Sequence, residues 1–303
     1  MTRLPANIFG TRMTKQDTVE RVLVLGASGM LGNAVFRLFA ESPATAVFGS
    51  TRSRALHHRF PENLRPSLIS NVDVENDDAL ITLFADVNPD VVINCVGLVK
   101  QLAEANDSLA ALPINAILPH RLARLCRVAG ARLVHVSTDC VFDGADGDYS
   151  ESDRPNADDL YGRSKLLGEV DYENAVTLRT SIIGCELGSA HGLVDWFLAQ
   201  EGSIKGFTRA IFSGLPTIEL ARVIRDFVLP RPELRGLYHV SAEPISKYDL
   251  LGIVAEVYGK DIEILPDGKL AIDRSLNSAR FRHETGYRPP DWRELVRAMR
   301  DFG

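Results

Sequence analysis

From residue 21 onward, short β-branched apolar runs alternate with longer stretches whose apolar positions recur every three or four residues. The run RVLVL at 21–25 reads as a buried strand, and glycines separate it from a helical pattern over 30–41. Residues 46–50 predict a second strand and 67–70 a weaker third. The segment NDDALITLFA at 76–85 opens with Asn76 as a cap and has two acids in its first turn, so it predicts a helix. Asn88-Pro89-Asp90 breaks that helix, and 91–96 is the most strand-like run of the chain. A helix over 114–129 ends at Gly130; a strand at 132–137, a helix at 160–170 and a strand at 176–180 follow. Repeated β-α-β units predict an α/β, Rossmann-type fold, a doubly wound parallel sheet with helices on both faces.

Past residue 184 the rhythm changes. Helices are predicted at 192–199, 218–227, 247–258 and 291–301, with a loop over 202–212 and a short strand at 237–240. SGLPT at 213–217 and LPRPE at 229–233 are the clearest punctuation. The reading is a loose tail over 1–20, a sheet domain over 21–185, and a smaller C-terminal lobe over 186–303 that returns elements near 218–240 to the sheet. The tail has no apolar stretch of the secretory kind, and Met13 is a candidate natural start.

Composition narrows the class. With 45% hydrophobic residues the chain can bury a core, and its net charge of −6 argues against a nucleic-acid coat. The four cysteines form no C-x-x-C pair, so neither a zinc site nor a disulfide framework is expected, and free thiols suit the cytoplasm. Apolar runs such as 91–99 are far shorter than the ~18 residues of a membrane span. The histidines lack ligand spacing, so no metal is assigned; His135, inside a strand, is expected to be a satisfied core residue.

Candidate chemistry begins with Gly26-Ala27-Ser28-Gly29-Met30-Leu31-Gly32, a G-x-x-G-x-x-G between the first strand and the first helix. A pyrophosphate needs backbone N–H groups at a helix start and no side chains in the way. The end of the second strand has no acid to hold a ribose 2′-OH; Thr51 and Arg52, with Arg54 behind, suit a 2′-phosphate instead. NADP(H) is therefore favoured over NAD(H). Asp73 and Val74 flank the adenine in this reading, or Asp73 is only a cap. After the fourth strand, Asn94, Cys95, Val96 and Gly97 suit close approach by the cofactor ribose. Tyr161 and Lys165 stand four apart on a helix and share a face. Bringing a tyrosine from pKa ~10 to ~7 takes about 4 kcal/mol of phenolate stabilisation, which a lysine cation and an oxidised nicotinamide can supply. Such a tyrosine exchanges a proton with a carbonyl oxygen. Thr138, at the carboxyl end of the 132–137 strand, is placed to orient that carbonyl. Asn115 is either a packed polar residue or part of a proton-relay water site.

Together these residues resemble the extended short-chain dehydrogenase/reductase superfamily. Within it, STDCVFDG at 137–144, YGRSKLLGE at 161–169 and LRTS at 178–181 are similar to dTDP-4-dehydrorhamnose reductases and related nucleotide-sugar reductases. The likeness covers 21–185 well and the later lobe loosely. It implies an NAD(P)-binding domain over 21–185, a mainly substrate-binding lobe over 186–303, a catalytic set of Thr138, Tyr161 and Lys165, and Asn115 as the helix asparagine. It also implies that Arg179, Thr180 and Ser181 lie near the nicotinamide. Cys140 stands where those reductases usually have an aromatic residue, which reshapes the sugar pocket. For the nucleotide-sugar diphosphate the candidates are Lys205, Arg209 and Arg274, the last before a Ser-Leu-Asn stretch similar to the family's C-terminal segment; Trp196 is a candidate stacking residue or simple core.

The first expectation is an NADPH-dependent reductase of a 4-keto-6-deoxy nucleotide sugar, serving cell-surface polysaccharide synthesis. The alternatives are an NAD-dependent nucleotide-sugar epimerase or dehydratase, and a non-catalytic NADP-binding regulator. The expected partner is a nucleotide-diphosphate sugar, with neither nucleic acid nor membrane, and a homodimer is compatible with the reading.

Overall fold

The computed structural model describes residues 19–99, 103–188 and 192–303. Most of the tail expected over 1–20, with Met13, lies outside them. In chain order the strands are β1 (Glu20–Leu25), β2 (Thr45–Ser50), β3 (Leu68–Ile69), β4 (Val91–Asn94), β5 (Arg132–Thr138), β6 (Ala175–Thr180), β7 (Ile182–Ile183), β8 (Ser203–Phe212), β9 (Leu215–Pro216), β10 (Gly236–His239), β11 (Ile245–Ser246) and β12 (Glu263–Asp273). The helices are α1 (Met30–Ala40), α2 (Asp77–Val87), α3 (Ser108–Ala111), α4 (Leu118–Ala129), α5 (Leu160–Leu167), α6 (Leu193–Leu198), α7 (Thr217–Val223), α8 (Lys247–Tyr258), α9 (Ala279–Thr285) and α10 (Trp292–Phe302).

Seven strands make one parallel sheet in the order β10-β6-β5-β4-β1-β2-β3. The order reverses at β1, and ligands of open α/β sheets bind in the crevice outside the carboxyl ends at such a point. Strand periodicity explains the two cores. Val22 and Val24 face one layer with α1, α7 and α10, while Leu23 and Leu25 face the other with α2 and α4. The side-chain oxygen of Asn76 accepts from the Ala79 N–H at 3.1 Å to start α2, as its sequence predicts, and Asn88 ends it in the left-handed region.

Three expectations need correction. The helix placed at 114–129 starts earlier, at Ser108, and a wide π-type turn over Leu112–Ile117 joins α3 to α4. The 160–170 helix stops at Leu167. The expected loop at 202–212 is β8, the middle strand of a second sheet, order β11-β8-β12. Gly206 lies so close to Tyr248 of α8 that a side chain there has no room, and Ala210 is buried. Small residues at the packed positions blunt the apolar alternation that would have revealed the strand. β12 runs parallel to β8 and is interrupted by a bulge between Asp267 and Ala271.

The two sheets are knitted at Ser213–Leu215. The Leu215 N–H bonds to Ser181 O at 2.8 Å, the Leu276 N–H to Ser213 Oγ at 3.0 Å, and a Cβ on Gly214 would fall onto the Ser181 carbonyl. Because that obstacle is backbone, Gly214→Ala is expected to cost about 1–3 kcal/mol, seen as a fall of several degrees in Tm by calorimetry; an unchanged Tm contradicts this packing.

Candidate active site

The glycine turn is built from close backbone approach. Gly26 has φ +77°, and a Cβ on it would stand 3.0 Å from Val96 Cγ2. A Cβ on Gly32 would collide with the Gly26 carbonyl, so α1 rests directly on the turn. Its capping residue, Gly29, has no side chain to occupy the first N–H groups. Ser28, Gly29 and Met30 remain accessible while Leu31 is buried. In the first turn of α1, the buried Asn33 Nδ2 has no hydrogen-bond partner, a feature the sequence does not reveal. An open helix start, a glycine cradle and an orphaned donor fit a dinucleotide's pyrophosphate.

Beside this turn, Ser50 Oγ accepts from the Gly26 N–H at 3.4 Å. Thr51 is buried and its Oγ1 lies 2.9 Å from His57 Nε2, a partner sequence reading missed. Burial, and then the Arg54 charge, hold the His57 pKa below its ordinary value. Arg52 is exposed at the same edge. Asp73 caps a turn, accepting from the Glu75 N–H at 3.0 Å, and Val74 packs on the core.

At the end of β4, Asn94 is buried: its Nδ2 lies 3.1 Å from His135 Nδ1 and its Oδ1 accepts from the Val96 N–H at 3.1 Å. His135 is therefore only half satisfied, contrary to expectation, since its buried Nε2 has no partner. Cys95 is neutral, with burial pushing its thiol up to about 12. A Cβ on Gly97 would stand 3.4 Å from Asn115 Oδ1 and 3.8 Å from Lys165 Nζ, so these residues meet. Asn115 Oδ1 accepts from the Leu98 N–H at 2.9 Å, and its amide donates to Leu98 O and Ser164 Oγ, each at 3.2 Å. It is a packed polar residue that ties the β4 loop to α5.

Helix α5 starts at Asp159, whose carboxylate accepts from the Gly162 N–H at 2.7 Å. A Cβ on Gly162 would strike Cys140 O, and one on Gly168 would strike Asn115 O. That seating brings Tyr161 beside Thr138 and Cys140. Burial pushes the Tyr161 pKa above its ordinary value, Cys140, Asp139 and Asp159 raise it further, and Thr138 partly offsets them. The lowering expected from Lys165 is not found; desolvation dominates. The Lys165 ammonium, 6% exposed, donates to Val136 O at 2.8 Å, and burial lowers its pKa to about 8 against the raising effect of Glu169 and Cys95.

Thr138 Oγ1 accepts from the Cys140 N–H and donates to Asp139 Oδ1, each at 3.1 Å. Asp139 is buried, which raises its pKa, with Arg274 the largest opposing influence. Arg274 is thus brought to the Thr138 side, its Nε donating to Phe142 O at 2.7 Å. Lys205 is not: it lies 4.0 Å from Asp267, and at ~3.3 Å per strand residue it stands about 20 Å up β8 from Ile211. Arg209 is exposed on the same strand, two residues before Ile211. Trp196 of α6 is 40% exposed, so it is not simple core. Gly184 and Gly192 stand against Met30, at the end of the glycine turn, and Gly188 stands against Leu56. Arg179, which the resemblance places near the nicotinamide, is buried and bound by Glu169. Among the described residues, no group of His, Cys, Asp or Glu is arranged to hold a metal, and no helix is long and apolar enough to cross a membrane.

Residues 20–301 match the model of the RmlD substrate binding domain. The chain belongs to that family. Its relatives within and around the RmlD group differ in what they are named for. The methionine adenosyltransferase 2 subunit beta of Danio rerio is 31% identical over 254 residues, covering 79% of this chain and 74% of that one. A probable low-salt glycan biosynthesis reductase of Haloferax volcanii is 28% identical over 264 residues, covering 83% and 85%. Among solved structures, the dTDP-4-dehydrorhamnose reductase of Bacillus anthracis, in complex with NADP, has the same fold: TM-score 0.75, 22% identity, 94% of this chain and 99% of that one.

The burial of Lys165 has a stability signature. Its folded-state pKa of about 8 lies below the ~10.4 of an unfolded lysine, so between those values the unfolded chain binds more protons and stability rises with pH. At pH 7 the charged, buried ammonium is a burden on the order of 3 kcal/mol. Lys165→Met is therefore expected to raise Tm at pH 7, with the gain vanishing toward pH 10; a gain independent of pH contradicts the assignment.

Proposed function

We propose that this chain is an NADP(H)-dependent reductase of a keto group on a nucleotide-diphosphate sugar. The observation that carries the reading is the meeting of Tyr161 with Thr138, and of Lys165 with Gly97 and Asn115, beside the glycine turn. When bound, the nicotinamide supplies a hydride. Gly26, Gly29 and Gly32 admit the pyrophosphate, Thr51 and Arg52 take the 2′-phosphate, and Lys165 holds the nicotinamide ribose. Thr138 orients the sugar carbonyl, and Tyr161 gives its proton to the carbonyl oxygen. A tyrosine that is protonated at neutral pH can serve as that acid. Arg274 is the cation suited to the substrate diphosphate, while Cys140 leaves more room in the sugar pocket than an aromatic residue would. The Haloferax volcanii reductase and the NADP complex of the Bacillus anthracis enzyme support the reading.

A second reading is a cofactor-binding subunit of another enzyme, favoured by the likeness to the subunit beta of Danio rerio. NADPH oxidation against a panel of keto-sugar nucleotides separates the two. The reductase turns over at least one substrate, and Tyr161→Phe keeps NADPH binding while losing 10²–10⁴-fold in kcat; no turnover with any substrate favours the subunit. For the cofactor, Arg52→Ala is expected to weaken NADPH about tenfold, the equivalent of ~1.4 kcal/mol, and to leave NADH affinity within twofold. Equal losses for both would sink the 2′-phosphate assignment.

A further inference from the structure

We infer that Glu169 is a positioning residue that keeps Lys165 charged, its carboxylate held in place by Arg179 and Ser137. The inference rests on the role given to Lys165 above. Glu169 follows Lys165 by four residues, just past the end of α5. Its Oε1 receives Arg179 Nε at 2.6 Å and Ser137 Oγ at 2.8 Å, and its Oε2 receives Arg179 Nη2 at 2.7 Å. This is a two-pronged fork in a place where the side chains are 3% and 12% exposed. Arg179 is fixed in turn. Its Nη1 lies 3.1 Å from His239 Nε2, and its guanidinium stands over the Phe142 ring at 5.3 Å. His239 Nδ1 lies 2.9 Å from Tyr149 O, a carbonyl that can only accept, so Nδ1 carries the proton and Nε2 is left to accept from Arg179. Burial and the Arg179 charge hold His239 down at about 4, which keeps it neutral.

Such a pair is an expensive way to hold a helix, since apolar residues of similar volume often stabilise a fold as well. α5 is already seated by Gly162 and Gly168. The pair has no net charge, but it fixes its anionic half on the Lys165 side: Lys165 Nζ donates to Val136 O, and the Glu169 carboxylate accepts from the adjoining Ser137. Arg179 brings the opposing charge beside that carboxylate; Cys95 is a neutral thiol, and His135 on β5 is kept neutral by burial. Glu169 is the anion that opposes desolvation of the ammonium.

The test is a pH titration of the full chain with 13Cε-labelled lysine, following the Lys165 NMR signal assigned by Lys165→Arg. In the unaltered protein the midpoint is expected near 8. Glu169→Gln should lower it by about one pH unit or more, and Glu169→Gln with Arg179→Met, which removes both buried charges together, should lower it by less. Glu169→Asp, which keeps the charge, should restore most of the midpoint. The alkaline limb of NADPH oxidation should move to lower pH by the same amount. The inference is overturned if either glutamine variant folds with an unshifted Lys165 midpoint, and equally if the aspartate variant fails to restore it. The NMR readout needs no substrate. A shifted midpoint without turnover on any keto sugar therefore refutes the reductase reading and leaves this one standing.

Discussion

Helix α5 touches its neighbours backbone to backbone, and the rest of the site follows from that contact. Without Cβ atoms at Gly162 and Gly168, the helix settles onto Cys140 O at one end and Asn115 O at the other. Lifted by one methyl group at either point, Tyr161 would leave Thr138 and Lys165 would leave Val136 O. The π-type turn at Leu112–Ile117 belongs to the same arrangement, because it presents the Asn115 carbonyl to Gly168 and the Asn115 side chain to the β4 loop. A close seat of this kind leaves little room for water, which is why Lys165 is desolvated and Tyr161 partly so.

Desolvation then acts in opposite senses on the two. It raises the phenol, so that the proton stays on oxygen, and it lowers the ammonium toward neutrality. A site that uses both groups has to counter the second effect without undoing the first. Glu169, just past the end of α5, is four residues from Lys165 and eight from Tyr161, so its field falls mainly on the cation. The ordering Tyr161, Lys165, Glu169 along the chain thus sorts the two titrations by distance.

Much of the central sheet was legible because buried parallel strands are continuous apolar runs and their helices carry a clear three-to-four spacing. The glycine turn, Tyr161 and Lys165 were legible for a similar reason, since their spacing is local. What sequence alone does not show is contact between distant segments. His57 reaches Thr51 through the fold of a loop, Asn33 looks like any polar helix residue, and Arg179 gives no sign in its own neighbourhood that Glu169 binds it. β12 escaped notice because Pro266, Asp267, Gly268 and Lys269 read as a turn, and β8 because its packed positions hold glycine and alanine. Lys205 has the right charge, and only the length of β8 shows how far it stands from Ile211, the partner of Asp273.

The bulge in β12 divides that strand into two parts with different freedom. Past it, Asp273 and Arg274 are locked against Gly144 and Gly147, where a side chain of any size would collide with them. Before it, the strand is an edge, largely exposed and opposite the outer half of β8. Insertions or exchanges in the outer half can be absorbed at the bulge without shifting Arg274. Such a joint lets the outer part of the strand vary while Arg274 stays in register with Phe142.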